Sequence, residues 1–296
     1  FQFTAFDLSV SEFEALNVIV DGAVLDPNAL AFDDTAGLNE DDTDTQFTSS
    51  VLSNDLEVGS LAYSVVLISG PSEGILTFNP GTPGAPDGSY SFDPNDDFED
   101  LAQGETREVS FVYEVEDAFH GPNQATVTIT VTGSNDAPVI TTAIGENAGD
   151  VTEAGNLDDG TVVAGTVSAT GTLTSEDVDT GASATWTGDA TGTYGSFAII
   201  PATGAWTYTL DNGDGDTQAL AEGASVTDTF TATVTDDFGA TATQVVTVTV
   251  TGTNDAPTVA AALVDGDPEG AGGFTVNLLD GASDLDAGET ATLSVN

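Results

Sequence analysis

One short segment occurs twice in this chain: Gly133-Ser134-Asn135-Asp136-Ala137-Pro138, then Gly252-Thr253-Asn254-Asp255-Ala256-Pro257. The two asparagines lie 119 positions apart. Starting at Leu101 and Leu220, the same offset runs without a gap for 39 residues, 17 of them identical. A fixed period of this length means tandem domains. The copies end on Asn-Asp-Ala-Pro, where one domain hands over to the next. Two oxygen-bearing side chains sit at each handover, where a hard cation would lock neighbours together.

Between the linkers the pattern is that of strands. Thr126 to Thr132 alternates Thr with Val or Ile, and Val246 to Thr251 does the same. Val127, Ile129 and Val131 should point inward, as should Val246, Val248 and Val250. Ser196–Ile200 and Ala205–Leu210, joined by Pro201-Ala202-Thr203-Gly204, read as a hairpin. Ser89-Tyr90-Ser91-Phe92 is the matching strand one repeat earlier. No segment carries a convincing helical period, and turn residues recur every dozen or so positions. The expectation is an all-β fold of tandem Ig/cadherin-like β-sandwiches in an elongated array.

The divisions expected are 28–138 and 139–257 as full sandwiches. Residues 1–27 read as closing strands of a preceding repeat, and 258–296 as opening strands of a further one. Gly22 and Pro27 keep the linker spacing, with Val24 and Leu25 in place of Asn-Asp. The partial ends suit either a fragment of a long array or a subunit completed by its neighbour in a fibre.

Charge restricts the partners. There are 50 acidic residues against one Arg or Lys, and the formal net charge is −49. Nothing here neutralises phosphates, so nucleic acid is excluded. An anionic membrane repels such a chain, and no apolar run is long enough for a spanning helix. With 39% hydrophobic residues it is too apolar for a disordered acidic tail. Cysteine is absent, so metal is the available staple for small secreted domains. Salt and divalent ions would relieve the self-repulsion.

Several segments resemble a known family. Asp211-Asn212, Gln218 to Gly223, Val226 to Phe230, Val234 to Gly239 and the linker Gly252 to Pro257 resemble the VCBS repeat of very large secreted bacterial proteins. The first full repeat resembles the related bacterial cadherin-like domain, through Asp33-Asp34, Glu40-Asp41, Val51 to Asp55 and Gly88 to Pro94. The resemblance implies tandem sandwiches, calcium between domains and an adhesive, cell-surface setting.

It also implies ligand sets. Near residue 136 they are Glu40 from the upper repeat, Asn135 and Asp136 from the linker, and Asp177, Asp179 and Asp236 from the lower repeat. Near residue 255 they are Glu153, Asn254, Asp255, Asp284 and Asp286. The top of the first repeat offers Asp34, Asp55, Glu57 and Asp117. The run Asp211 to Asp216 looks like a cation loop, but glycines occupy its third and fifth positions. It reads as an exposed turn rather than an EF-hand.

Three functions follow from these readings. The first is a calcium-stiffened extender of a secreted bacterial adhesin or matrix protein, partnered by neighbouring repeats of its own chain. The second is a self-assembling extracellular fibre. The third is a glycan-binding module using Trp186 or Trp206, which otherwise pack the core. Catalysis is not expected: with no Lys or Cys, most nucleophile chemistry is closed, and His120 sits in a turn-like Phe-His-Gly-Pro with no counterpart in the next repeat.

Overall fold

The computed structural model describes residues 18–20, 23–25, 31–42, 49–55, 64–116, 121–157, 159–259 and 277–294. The chain divides into two compact units, Phe1–Asn135 and Asp136–Asn296. Each contains a sandwich with the same plan.

In the first unit, a four-stranded sheet runs in the order Asp34–Asn39, Asn123–Thr132, Thr106–Glu116, Ser64–Ser69. Asp34–Asn39 lies parallel to Asn123–Thr132, and the other neighbours are antiparallel. The facing sheet is Ser49–Ser50, Ala85–Asp93, Ile75–Thr82. Strand alternation decides what is buried. Val127, Ile129 and Val131 are fully enclosed, and they meet Tyr90, Phe92 and Phe111 in one core. Tyr90 packs edge-on against Phe111, with centroids 5.0 Å apart.

The second unit repeats the arrangement. Its larger sheet is Ala148–Thr152, Thr241–Thr251, Ser225–Asp236, Ala184–Gly188, again opening with a parallel pair. Its smaller sheet is Ser168–Thr172, Ala205–Leu210, Gly195–Ile199. Val246, Val248 and Val250 are fully enclosed. Phe197 stacks between Trp206 and Phe230 at 5.8 and 4.9 Å. Trp186 and Trp206 are both buried, at 4% and 1% exposure. They supply the core and offer no platform for a sugar ring.

Ala23–Leu25 pairs antiparallel with Val18–Val20. One local feature departs from the sequence reading: the run from Asp211 is more than an exposed turn, because it leads into a one-turn helix, Gly215–Gln218, capped by Asp214.

A small antiparallel pair recurs at the start of each later domain. Val139–Ile140 pairs with Ser175–Glu176, and Thr258–Val259 pairs with Ala282–Ser283. Each pair holds the chain just past an Asn-Asp-Ala-Pro linker beside an Asp-x-Asp loop.

Candidate metal centres

The first Asn-Asp pair falls at the boundary between the units. On the side of the first unit, Glu40 is buried and its Oε1 accepts from the Ser134 N–H at 2.6 Å. Ser134 Oγ donates to Asn39 Oδ1 at 2.7 Å. This brings Glu40 up against the stretch that leads to Asn135.

In the second unit, the Asp136 N–H donates to Asp179 Oδ2 at 3.0 Å, and the Asp179 N–H donates to Asp177 Oδ1 at 3.1 Å. Asp236 joins from the end of its strand, where its Oδ1 accepts from the N–H groups of Phe238, Gly239 and Ala240. Asp179 is 6% exposed. Burial raises its carboxyl above the ordinary range, the Asp136 N–H opposes this, and the charges of Asp177, Asp236 and Asp237 add to the rise. Asp179 Oδ1 and Asp177 Oδ2 are closed off from solvent and meet no hydrogen-bond donor.

The second linker repeats this geometry. The Asp255 N–H donates to Asp286 Oδ2 at 2.9 Å, and the Asp286 N–H donates to Asp284 Oδ1 at 3.0 Å. Here the base of the preceding sandwich belongs to the same unit. Glu153 is completely buried. Its Oε1 accepts from Gln218 Nε2 at 2.9 Å and its Oε2 from the Thr253 N–H at 3.3 Å. Its carboxyl is pushed up to about 7, first by burial and then by the charges of Asp255 and Asp286. Asp255 is raised as well, by burial and by Asp286 and Asp284, and its buried Oδ2 has no donor. The Ala287 N–H, bonded to the Ala219 carbonyl at 3.1 Å, ties the Asp-x-Asp loop back onto the sandwich. Asn254 turns its side-chain nitrogen to the Asn156 carbonyl at 2.7 Å.

These groups suit a hard divalent cation. All the donors are oxygens, as calcium prefers. An ionised carboxylate without a donor in a buried setting is costly, and like charges beside it add to the cost. A cation among Glu153, Asp255 and Asp286, or beside Asp177, Asp179 and Asp236, removes both penalties.

The sequence reading missed some participants. Carboxylate oxygens of Asp284, Asp286 and Glu289 lie within 4.8 Å of one another. Glu289 lies outside the repeat match, and the corresponding position after Asp179 is Ala182, so the repeat did not point to it. Gln218 and Thr253, which hold Glu153, carry no charge to attract attention.

The set at the top of the first repeat is of another kind. Tyr113 Oη stands 3.3 Å from Asp34 Oδ2 and 3.1 Å from Asp55 Oδ1, within reach of both acids. The Phe32 N–H donates to Asp55 Oδ1 at 2.8 Å. Burial pushes Asp34 and Asp55 up to about 6, against those hydrogen bonds. The structure brings these two acids together around a phenol. Glu57, Asp117 and His120 lie outside the described residues.

No curated protein matches the chain. Among solved structures it is similar to Drosophila N-cadherin EC1-4, at 15% identity and a TM-score of 0.42 over 77% of this chain and 51% of that one. It is similar to the protocadherin gammaB7 EC3-6 cis-dimer structure, at 18% identity and 0.45 over 87% and 55%. A third is mouse cadherin-23 EC22-24, at 16% and 0.42 over 87% and 76%. The chain spans about half the length of the first two. Cadherin-like domains typically bind calcium, and bacterial cadherin-like and Ig domains are usually extracellular. Residues 26–130 match the bacterial Ig domain and residues 135–252 the bacterial cadherin-like domain.

Proposed function

We propose that this chain is a calcium-stiffened extender segment of a secreted bacterial surface adhesin or matrix protein, with a VCBS-type second repeat over 139–257. Its work is mechanical, and no catalytic step is assigned to it. One observation carries the reading. At two linkers 119 residues apart, the same backbone hydrogen bond seats the linker aspartate on the second Asp of an Asp-x-Asp loop. At both places a buried carboxylate oxygen lacks a donor, Asp179 Oδ1 in one and Asp255 Oδ2 in the other. A repeated arrangement of that cost is explained by a ligand that repays it.

Linkage supplies the mechanism. Without calcium the clustered carboxylates repel and the linkers flex. With calcium, oxygens from both sides of a linker share one charge, which fixes the angle between neighbours and adds stability by mass action. Extracellular modules of this type bind calcium at about 10⁻⁴–10⁻³ M, as found in seawater-like media. The VCBS reading draws its support from the motif residues of 211–257.

Small-angle X-ray scattering in calcium and then in excess chelator tests the proposal. A maximum dimension that shortens and broadens on chelation supports it. Identical profiles, with no heat of calcium binding, would reduce the acids to a salt-adapted surface.

A further inference from the structure

The connector between strands Ala205–Leu210 and Ser225–Asp236 is the most acidic loop of the second sandwich. Its sequence, Asp211-Asn212-Gly213-Asp214-Gly215-Asp216, invites a cation. The structure uses two of its carboxylates otherwise. Asp211 Oδ1 accepts from the Gly213 N–H at 2.9 Å, and Asp214 Oδ1 accepts from the Asp216 N–H at 2.8 Å as cap of the helix Gly215–Gln218. Those two carboxylates shape the loop itself.

Its reach to the rest of the sandwich is made by neutral amides. Asn212 pairs twice with the backbone of Ala154: Oδ1 accepts from the Ala154 N–H at 2.7 Å, and Nδ2 donates to the Ala154 carbonyl at 3.0 Å. Gln218 Nε2 donates to Glu153 Oε1 at 2.9 Å. Between them, Thr217 is completely buried, and its Oγ1 donates to the Tyr194 carbonyl at 3.4 Å. One loop therefore grips two consecutive residues, one through its backbone and the other through its carboxylate.

We propose that the 211–218 loop is a clamp for Glu153, and that Gln218 and Asn212 are positioning residues that set the calcium affinity of the second linker without contacting the ion. The proposal rests on the calcium reading above. A free glutamate side chain loses rotamer freedom when it binds a metal. Gln218 and the Thr253 N–H remove that freedom beforehand, one oxygen each, and leave further lone pairs of the carboxylate for the ion. Partners that orient a ligand in this way are worth about 10–100-fold in metal affinity. An amide suits the position because it donates without adding a further negative charge beside Glu153, Asp255 and Asp286.

The test is calcium titration calorimetry on the full chain and four variants: Gln218→Ala, Gln218→Glu, Glu153→Gln and the double variant Glu153→Gln/Gln218→Ala. Gln218→Ala should weaken one class of sites by about tenfold and leave the sites of Asp177 and Asp179 unchanged. In the Glu153→Gln background the same change should have no effect, since residues acting through one another are not additive. Gln218→Glu should weaken binding too, because it removes the donor. Tighter binding in Gln218→Glu would make residue 218 a ligand and overturn the clamp. An unchanged affinity in Gln218→Ala, or an equal loss with and without Glu153, would overturn it also. If the alanine variant unfolds, Gln218→Met keeps the length of the side chain without its amide and carries the same expectation. Absence of calcium binding by the unmodified chain would overturn the proposed function and the clamp together, whereas normal binding with an indifferent Gln218 would overturn the clamp alone.

Discussion

Asp228 shows how differently two buried carboxylates are treated in one sandwich. It is 3% exposed and satisfied by three donors: the Thr193 N–H at 2.9 Å, the Tyr194 N–H at 3.0 Å and Tyr208 Oη at 2.9 Å. Its role is to complete the core. Replacing it with alanine orphans those donors and should cost about 2–5 kcal/mol. The fall in melting temperature should be similar in calcium and in chelator; a fall confined to calcium would contradict the assignment. Glu153 is the opposite case, held ready and raised to about 7 by burial and by Asp255 and Asp286. The ordinary value is 4.5. Between these two values the calcium-free folded chain keeps a proton that the unfolded chain releases. Stability in chelator is therefore greatest below that window and falls as pH rises through it. Urea unfolding in chelator should give a lower midpoint near neutral pH than near pH 5, with a shallower decline in Glu153→Gln. A steeper decline in that variant would sink the argument. Calcium, which binds the ionised carboxylate, should bind more weakly on the acid side of the window.

At the scale of elements, the linker is aimed by its first residue. Gly133 and Gly252 lie where a Cβ would collide with backbone carbonyls, those of Leu101 and Ala102 in one case and of Leu220 and Ala221 in the other. Both glycines are also bonded to a neighbouring turn. The Gly133 N–H meets the Glu105 carbonyl and the Gly252 N–H meets the Ala224 carbonyl, each at 2.8 Å. At the second linker, which lies within one unit, close approach to this turn starts Asn254 and Asp255 toward the loop of Asp284 and Asp286, where the Asp255 N–H meets Asp286 Oδ2. Gly252→Ala should push the linker away, cost about 1–3 kcal/mol by overpacking and weaken calcium binding at Asp255 and Asp286. Chemical unfolding combined with calcium titration checks both effects, and an unchanged affinity would free the linker of this role. Asp286→Ala should remove calcium from the second linker while the core of the second sandwich stays folded, as read by tryptophan fluorescence from Trp186 and Trp206. Collapse of that signal in saturating calcium would show instead that the loop is needed for the fold.

Across the whole molecule, a net charge of −49 opposes compaction. Relief from within is minimal. The one basic side chain among Lys and Arg, Arg107, is spent locally on Asp100 at 2.7 Å and Glu73 at 3.6 Å, with its guanidinium over Phe98. Screening must come from outside. In chelator, raising sodium chloride from about 0.05 to 1 M, which shortens the Debye length to roughly 3 Å, should raise the melting temperature. In saturating calcium the gain should be smaller, because the densest clusters are already neutralised. Equal gains in both conditions would mean that calcium leaves those clusters untouched.

The alternation of Thr with Val and Ile, together with the lack of any helical period, determined the all-β class, because a two-residue period leaves one face apolar and, with no helix to cover it, a facing sheet must. The 119-residue repeat likewise determined that the sandwich plan occurs twice. Acidity alone did not separate the carboxylates. At one residue in six, Asp and Glu are too common for spacing to tell a core partner from a candidate ligand. The family resemblance had already grouped Glu153 with Asp255 and Asp286, and Asp34 with Asp55; only the tertiary structure decided that Asp228 is satisfied by Tyr208 and two backbone donors, and that Tyr113 stands within reach of both Asp34 and Asp55. Asp228 had a trace in the sequence, since it takes an inward position between Val226 and Phe230. Gln218 had none. It meets Glu153 across 65 residues of chain, and a contact of that range is made by the folding of the sheets rather than by any local pattern.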